Sequence, residues 1–208
     1  MAVSDKTSEQ PRPPPRRSRR VAGENAENAE NAGDVYNYEA PEVRYNEEKY
    51  SLAHVEALGE AKTQWVLFKD GYDAKGNRLY DKAAGLTCHQ CRQKTLGKKT
   101  RCGECESLHG VFCGDCLWMR YGENVDEVME EEKWVCPPCR DLCNCSFCRG
   151  RKGWCPTGTM YRRALEQGYR SVAHFLVMEF VDAEDAEAVK RVEEMRKRGF
   201  GECLALSE

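Results

Sequence analysis

Cysteine pairs dominate the middle of this 208-residue chain. Twelve of its thirteen cysteines lie between residues 88 and 155. Eight of the twelve form four C-x2-C knuckles, which are Cys88/Cys91, Cys102/Cys105, Cys113/Cys116 and Cys136/Cys139. The remaining four are Cys143, Cys145, Cys148 and Cys155. Because one knuckle places two thiolates within reach of the same tetrahedral Zn²⁺, twelve cysteines predict three zinc ions with four ligands each.

Zinc binding is favoured over the other chemistries open to cysteine. The chain shows no secretory signal and no apolar run of the ~18 to 20 residues that cross a bilayer, so we expect a reducing compartment without structural disulfides. A thioredoxin-like redox pair needs a βαβ frame, which no knuckle has. An iron–sulfur cluster is less well matched, because knuckles separated by long intervals suit separate tetrahedral sites.

Metal binding would also compensate for a polar composition. The mean hydropathy is -0.76 and 32% of the residues are charged, so little apolar material is available for a core. A structural zinc contributes roughly 10 to 16 kcal/mol of apparent folding free energy in peptides. We therefore expect the metal sites to take the place of part of the hydrophobic core.

The spacing of the cysteines does not decide which pairs share a metal. The intervals between successive knuckles, of ten, seven and nineteen residues, resemble the cross-braced arrangement of RING and PHD domains. On that resemblance the three ligand sets are Cys88, Cys91, Cys113 and Cys116; Cys102, Cys105, Cys136 and Cys139; and Cys143, Cys145, Cys148 and Cys155. All three sites would be closed, as structural zinc sites are.

Three side chains near the knuckles, and one cysteine far from them, are predicted individually. Trp134 precedes the last knuckle by two residues and resembles the PHD tryptophan that packs against the second zinc loop. His109 is predicted not to bind zinc, because the pairs are complete without it. His89 lies inside a knuckle turn and is predicted to point outward. Cys203 lies beyond the other cysteines and is predicted to be a free thiol.

The composition divides the chain into four segments. Residues 1–34 are rich in Pro, Arg and repeated ENA sequence and predict a disordered tail, whose RRSRR block would be a nuclear import signal, a phosphate-binding arm or a solvated run. Residues 35–77 predict a linker able to bind a partner. Residues 78–178 predict a cross-braced, RING/PHD-like zinc module with a helical C-terminal flank, and residues 179–208 a solvated helical tail. The predicted fold class is therefore a small zinc-rich α+β protein.

Short elements are predicted on both sides of the cysteines. Residues 46–58 carry a thin apolar stripe at helical spacing, which would either dock on the zinc module or bind a partner's groove. Residues 63–68 predict a short strand followed by a glycine-containing turn. After the cysteines, a helix over 159–167 should stop at Gly168.

Two further helices are predicted near the C-terminus. Ser171 should cap the first of them, and its buried face should be formed by Val172, Phe175, Leu176 and Phe180. The second starts acidic and ends basic before Gly199, with Glu and Lys or Arg four residues apart, which predicts a solvated helix.

Lysines and arginines cluster around the cysteines, first in CRQKTLGKKTR and again in CRGRKGW and YRR. Rigidly held cations of this kind suit contacts to DNA phosphates and bidentate reading of guanine. They could equally serve only to offset the negative charge of the thiolates. The charges alone leave DNA binding open, since the net charge of the chain is -3.

Four motifs together resemble the four-CXXC zinc finger of the cell division cycle-associated protein seven family. They are TCHQCRQKT, FCGDC followed by RYGENV, WVCPPCRDLCNCSFCR, and KGWCPTG. The resemblance covers about residues 78–178, and the presence of Cys155 resembles the full-cysteine, animal-type members. It implies a cross-braced finger that binds three zinc ions and recognises hemimethylated CpG in double-stranded DNA.

The same resemblance implies a chromatin adaptor without enzymatic activity. It would act in the nucleus, recruit a Swi/Snf-like remodeller of the lymphoid-specific helicase type, and support transcription regulation and the maintenance of DNA methylation. The segment 46–58 is the predicted remodeller-binding segment, and we expect a monomer.

The resemblance also assigns roles to single residues. Arg92 is predicted to read a base or a phosphate, Arg120 to make a second DNA contact, and Gly110 to permit a backbone turn that a Cβ would block. The other predicted DNA contacts are Lys94, Lys98, Lys99, Arg149, Arg151 and Lys152. The sequences CGEC and ESLHG are shorter than the family's versions, which puts a contact from that loop in doubt. Leu117 and Trp118 would either contact a methyl group or be buried.

Two other functions remain as alternatives. A RING-like ubiquitin ligase would use Arg140, directly after Cys139, as a linchpin, although the first zinc loop is more cationic than a ligase groove. A PHD-like reader of histone tails would need an aromatic cage or an acidic pocket, for which Trp118, Tyr121, Trp134 and Trp154 are available. Neither a Ser-His-Asp set nor a phosphate loop is evident, so no catalysis is predicted.

Overall fold

Short helices alternate with long cysteine-bearing loops in this protein. The computed structural model describes residues 45–198, so the predicted tail 1–34 and Cys203 lie outside the described residues. The elements are α1 (Leu52–Glu56), β1 (Leu86–Thr87), β2 (Lys94–Thr95), a 3-10 turn (Leu108–Gly110), α2 (Gly114–Tyr121), α3 (Val125–Glu130), α4 (Ser146–Arg151), α5 (Met160–Glu166), α6 (Val172–Glu179) and α7 (Ala186–Lys197). This is the small α+β architecture that the cysteine content predicts.

Strands β1 and β2 hold the first knuckle. They are antiparallel, with Leu86 opposite Thr95 and Thr87 opposite Lys94. The knuckle turns between them, and the Arg92 N–H closes that turn on the Cys88 carbonyl at 2.8 Å. The short hairpin therefore fixes the direction in which the first two thiols point.

Helix α2 lies at the centre of the first hydrophobic core. Leu117 and Tyr121 on this helix are buried together with Phe112, Val125 and Trp134. Asn124 caps α3 by accepting a hydrogen bond from the Asp126 N–H. Because the second knuckle also contributes Cys102 to this cluster, the core and the metal ligands form one packed unit.

The predicted strand over residues 63–68 is wrong, because this segment is a loop. Its anchor is Trp65, which is buried while Val66 and Phe68 are each 55% exposed. The carboxylate of Asp115 on α2 accepts hydrogen bonds from the Trp65 indole at 2.9 Å and from the Phe68 N–H at 3.2 Å. The apolar run thus supplies one core side chain, and a carboxylate takes the backbone N–H that a neighbouring strand would have bound.

Helices α5, α6 and α7 surround a second core. Gly168 has a φ of +81° just after α5, and Ser171 accepts a hydrogen bond from the His174 N–H to cap α6, as predicted. Val172, Phe175 and Leu176 are buried. Phe180 was also predicted to be buried, but α6 ends at Glu179 and Phe180 is 41% exposed.

Helix α7 was predicted to be solvated, and the structure corrects this. Its side chains Ala188, Val192 and Met195 are buried in the second core. The helix packs against α1, so the polar positions cover one face only. No helix within residues 45–198 has the length and the apolar content that a membrane crossing requires.

The segment before α1 acts as a strap across the C-terminal part. Helix α1 begins after Ser51, later than predicted, because the preceding residues are bound elsewhere in an extended form. Tyr50 pairs with Val181, and the Glu48 carboxylate binds the Arg149 guanidinium through both oxygens. Val55 is buried. Of the two alternatives for residues 46–58, docking on the module is the one that the structure shows.

Candidate metal centres and nucleic-acid interface

The first metal-binding group joins the first and third knuckles. Cys88 and Cys91 come from the β1–β2 turn, and Cys113 and Cys116 from the start of α2; their four sulfurs lie within 4.8 Å of one another. The Cys113 N–H donates to the Cys88 sulfur at 3.4 Å. A guanidinium N–H of Arg78 donates to the Cys91 sulfur at 3.5 Å. Such donors stabilise thiolates, the form that binds a metal.

The second group joins the second and fourth knuckles. It consists of Cys102, Cys105, Cys136 and Cys139. The Cys102 sulfur accepts hydrogen bonds from the N–H groups of Cys136 at 3.2 Å and of Cys105 at 3.5 Å. Because the first and second groups alternate along the chain, the structure groups these eight cysteines as the resemblance to cross-braced domains implies.

The third group differs from the predicted set of ligands. His89, Cys143, Cys145 and Cys148 lie together, and His89 Nε2 is 3.3, 3.3 and 3.5 Å from the sulfurs of those three cysteines. The prediction that His89 points outward is therefore wrong. Its ring enters the third group from the knuckle turn of the first, which ties two metal centres through one four-residue loop.

Cys155, predicted as the fourth ligand, lies outside the third group. It is exposed, and its thiol is 3.6 Å from the Pro156 carbonyl. The buried guanidinium of Arg149 donates from Nε to the Cys155 carbonyl at 2.6 Å, and this contact fixes the backbone with the thiol turned outward. The sequence spacing predicts Cys143, Cys145 and Cys148 as members of this site. Only the fold shows that His89, which lies 54 positions before Cys143, joins them.

Distances within the second and third groups fit zinc, and the ligand atoms of each of the three groups lie within 4.8 Å of one another. Tetrahedral coordination at ~2.3 Å predicts neighbouring sulfurs about 3.8 Å apart, and a sulfur and an imidazole nitrogen about 3.6 Å apart. The sulfurs of Cys105 and Cys136 are 3.9 Å apart, and the contacts of His89 are at most 3.5 Å. Thiolate and imidazole are soft and borderline ligands, which suit zinc rather than magnesium or calcium.

Hydrogen bonds and burial act in opposite directions on the pKa values of Cys145 and His89. Hydrogen bonding with Cys143 lowers the pKa of Cys145 to about 3, against burial, and His89 lowers it further. The same interactions with Cys145 raise the pKa of His89, while burial lowers it. Cys145 is thus already a good thiolate ligand at neutral pH.

Three residues assigned from the sequence lie beside the metal groups. Trp134 is buried, and its indole N–H donates to Glu123 at 2.6 Å. A Cβ on Gly110 would lie 2.5 Å from the Cβ of Cys102, so glycine is needed there because the second knuckle packs against it. His109 belongs to none of the three groups; its ring packs edge-on against His89 with 5.6 Å between ring centroids.

Arg92, Lys94, Lys98 and Arg151 are the exposed members of the predicted DNA contacts. The Arg92 guanidinium lies over the Phe147 ring, with the central carbon 3.7 Å from the ring centroid, and donates to the Ser146 hydroxyl. Arg92 has a φ of +61°, in the left-handed region that side chains with a Cβ rarely adopt. No sequence pattern singles out Phe147, which is 61% exposed.

Two predicted DNA contacts, Lys99 and Arg149, are buried and serve the fold instead. The Lys99 ammonium donates to the carbonyls of Leu96 at 3.0 Å and Gly97 at 3.2 Å. Arg149 is 2% exposed and paired with Glu48. Because both cations are enclosed and their donors are bound inside the protein, neither can reach a phosphate in this structure.

The other predicted contacts have partners that they would have to share or exchange. Arg120 donates to the Thr157 hydroxyl and the Gly158 carbonyl at 3.0 and 2.9 Å. Lys98 pairs with Asp126 at 2.6 Å. The remaining two amines donate to the protein as well, Lys94 to the Lys82 carbonyl and Lys152 to Asp141.

Several side chains were candidates for contacting a methyl group, forming an aromatic cage or acting as a ligase linchpin. Leu117 is buried, so it packs inside and does not present a methyl-binding surface. Tyr121 and Trp134 are also buried, and Trp154 packs on Tyr50 with 5.4 Å between ring centroids. These aromatic rings are therefore part of the fold. Arg140 donates to the Ala57 carbonyl and binds Glu123.

Comparison with known proteins agrees with this site. The model of one family, described as the zinc-finger domain of monoamine-oxidase A repressor R1, matches residues 80–176. The cell division cycle-associated 7-like protein of Rattus norvegicus is 50% identical over 102 residues, which are 48% of this chain and 23% of that protein. Cell division cycle-associated protein 7 of Homo sapiens is 40% identical over 138 residues, which are 65% of this chain and 37% of that protein.

A plant protein is similar over a shorter stretch. The E3 ubiquitin-protein ligase JMJ24 of Arabidopsis thaliana is 36% identical over 77 residues, which are 37% of this chain and 8% of that protein. The chain thus spans less than half the length of each of these relatives. Residues 80–176 therefore match a zinc-finger domain, and the chain is similar in sequence to the cell division cycle-associated protein 7 relatives.

Proposed function

We propose that the protein is a chromatin adaptor whose zinc finger binds CpG in double-stranded DNA and prefers the hemimethylated form. It would hold three zinc ions, act in the nucleus as a monomer without catalysis, and recruit a Swi/Snf-like remodeller to support the maintenance of DNA methylation. The family-model match over residues 80–176 supports the zinc-finger part of this proposal, and the motifs around Arg92 and Arg120 support the DNA-binding part.

The proposed DNA-binding function rests mainly on the conformation of Arg92. This side chain is exposed, its backbone is held by the knuckle turn, and its guanidinium carbon lies 3.7 Å from the centroid of the Phe147 ring. A planar guanidinium with a free edge is the group that most often binds O6 and N7 of guanine in the major groove. Such a group, fixed on a metal-bound loop, is suited to reading a base.

Other exposed cations could hold the DNA backbone. Within the described residues, Arg101 and Arg151 are exposed and have neither an acidic partner nor a hydrogen-bond acceptor in the protein. Cations of this kind bind phosphates without regard to sequence, and each bound phosphate adds to the salt dependence of binding. Arg92 would then supply the specificity and the other cations a share of the affinity.

The test compares binding to duplexes that differ only in the methylation of one CpG. Full-length protein with bound zinc is titrated against unmethylated, hemimethylated and fully methylated duplexes. We expect the hemimethylated duplex to bind best, and Arg92→Ala to weaken binding to all three duplexes by about 1 to 3 kcal/mol because it loses the contact to guanine. Equal affinity for all three duplexes would exclude the methylation-dependent part, and no binding would exclude the DNA-binding function.

The remodeller contact is proposed from the family resemblance. Residues 46–58 are the proposed segment, and α1 uses Val55 inside the protein, which leaves Ala53 and Glu56 exposed. We expect charge reversal at Glu56 to weaken capture of a lymphoid-specific helicase-type remodeller without changing DNA affinity. Capture equal to that of the wild type would exclude this segment.

A second candidate function, binding of a basic peptide such as a histone tail, has one observation in its favour. A cleft of about 760 Å³ between α1 and α3 is lined by glutamates. These are Glu56, Glu60, Glu123, Glu127, Glu130 and Glu131. Two of these carboxylates are already engaged, because Glu123 forms an ion pair with Arg140 and Glu127 accepts hydrogen bonds from the backbone N–H groups of Lys62 and Thr63. Histone peptides are therefore included in the same titration.

The ubiquitin-ligase alternative is motivated by the name of the Arabidopsis relative. The geometry of Arg140 argues against it, because a linchpin must reach a bound partner and this guanidinium is held by Ala57 and Glu123. Release of ubiquitin from a loaded conjugating enzyme is the assay. Discharge that depends on the zinc finger would support the alternative over the proposal.

A further inference from the structure

The contact between Arg92 and Phe147 brings together side chains 55 positions apart. The guanidinium carbon lies 3.7 Å above the ring centroid, which is the distance of a flat stack. One guanidinium N–H also donates to the Ser146 hydroxyl. Phe147 is 61% exposed, so most of its ring is not covered by the apolar core.

Ligands of the third metal-binding group are sequence neighbours of both residues in this contact. His89 lies three positions before Arg92 in the same knuckle, and Cys145 and Cys148 lie on either side of Ser146 and Phe147. A metal held by His89, Cys145 and Cys148 would fix the knuckle against the start of α4. The guanidinium and the ring are therefore brought face to face by ligands that are their neighbours in sequence.

The stack uses the face of the guanidinium and leaves part of its edge open. A guanidinium has five N–H donors in one plane, and Ser146 takes a donor on one Nη atom only. A free arginine side chain would lose rotamer entropy on binding a base, whereas one already held on a ring loses less. Cation–π contact adds to the hold on the guanidinium.

We infer that Phe147 is a positioning residue, which holds the Arg92 guanidinium in the orientation that reads a base edge, with Ser146 fixing its rotation. This inference rests on the proposed DNA-binding function. It assigns to the third metal-binding group a role beyond folding, which is to set the distance between the reading arginine and its aromatic support.

The first arm of the test measures affinity for a CpG duplex. Phe147→Leu keeps apolar bulk but removes the ring, and we expect binding about tenfold weaker. Phe147→Trp should restore affinity, because it provides a ring. Arg92→Ala combined with Phe147→Leu should bind no more weakly than Arg92→Ala alone, since both changes remove one function. Phe180→Leu is the matched control at another exposed phenylalanine and should bind like the wild type.

The second arm does not depend on DNA. The side-chain N–H and CH₂ signals of Arg92 should show upfield ring-current shifts in NMR spectra of the wild type and Phe147→Trp, and lose them in Phe147→Leu. Zinc content, measured on the same samples, should be equal in all variants. If the wild type binds no duplex, the proposed function fails while the shifts still report the stack.

Three results would overturn the inference. One is unshifted Arg92 signals in the wild type. Another is affinity of Phe147→Leu equal to that of the wild type while Arg92→Ala binds weakly. The third is a double variant in which the two losses multiply, because independent effects would mean that Phe147 does not act through Arg92.

Discussion

Replacing Glu48 by Gln should cost about 3 kcal/mol of unfolding free energy, although Glu48 lies far from the cysteines in sequence. The Arg149 side chain is 2% exposed and that of Glu48 12%. The two Nη atoms donate to the two carboxylate oxygens at 2.6 and 2.5 Å. Breaking a buried ion pair from one side costs about 3 to 5 kcal/mol, because a charge stays enclosed without its partner. Glutamine retains one acceptor, which places the expected loss at the lower end.

The assay is urea unfolding of the zinc-bound protein, followed by tryptophan fluorescence. The matched control is Glu194→Gln, which breaks the pairs with Arg191 at 3.3 Å and Arg198 at 3.7 Å, where all three side chains are more than 40% exposed. Each of these exposed pairs should contribute at most about 0.5 kcal/mol. Burial lowers the pKa of Arg149, but the hydrogen bonds and charge of Glu48 outweigh it and raise the pKa overall, so the guanidinium stays charged at all usable pH values. A loss below 1 kcal/mol for Glu48→Gln, or losses equal in the two variants, would refute the reasoning.

The remaining predictions concern packing, the pH dependence of stability, and which cations contact DNA. Gly110→Ala places a Cβ 2.5 Å from that of Cys102 and should lower stability by about 1 to 3 kcal/mol and speed zinc release; an unchanged melting temperature would contradict this. Burial lowers the pKa of His174 from 6.5 to about 3, so between about pH 6.5 and pH 3 the unfolded chain binds the proton and the folded chain does not. Between pH 7 and pH 5 the wild type should therefore lose about 2 kcal/mol more stability than His174→Asn, and parallel pH profiles would exclude this. Arg151→Ala should weaken duplex binding and reduce the salt slope by about 0.9 at constant melting temperature. Lys99→Gln should instead lower the melting temperature and leave the salt slope unchanged. A reduced salt slope for Lys99→Gln would mean that Lys99 does contact DNA.

The sequence predicts the four knuckles because each is local, whereas the two cross-braced ligand sets were implied by the resemblance to RING and PHD domains, since the spacing does not decide which pairs share a metal. The sequence also predicts the end of α5 and the start of α6, where a glycine at positive φ and a capping serine act within a few residues. Ser171 and Gly168 need only their neighbours to be understood. Local chemistry of this kind is readable without knowledge of the fold.

The errors fall where long-range packing decides. His89 becomes a candidate ligand, and Cys155 does not, because the first knuckle turns toward α4. Arg149 and Lys99 have the sequence context of surface cations, yet each is enclosed by residues that the spacing cannot identify. The many polar residues of α7 predict a solvated helix, because its apolar face can be recognised only once α1 is known to pack against it.

Counting bound zinc by native mass spectrometry tests the central claim most directly, which is that three metal centres hold the domain and that His89 completes the third. The wild type and Cys155→Ser should each carry three zinc ions, and His89→Ala should carry two. Retention of three ions by His89→Ala together with loss of one by Cys155→Ser would contradict the structure of the third centre. A folded wild type without bound metal would contradict the account as a whole.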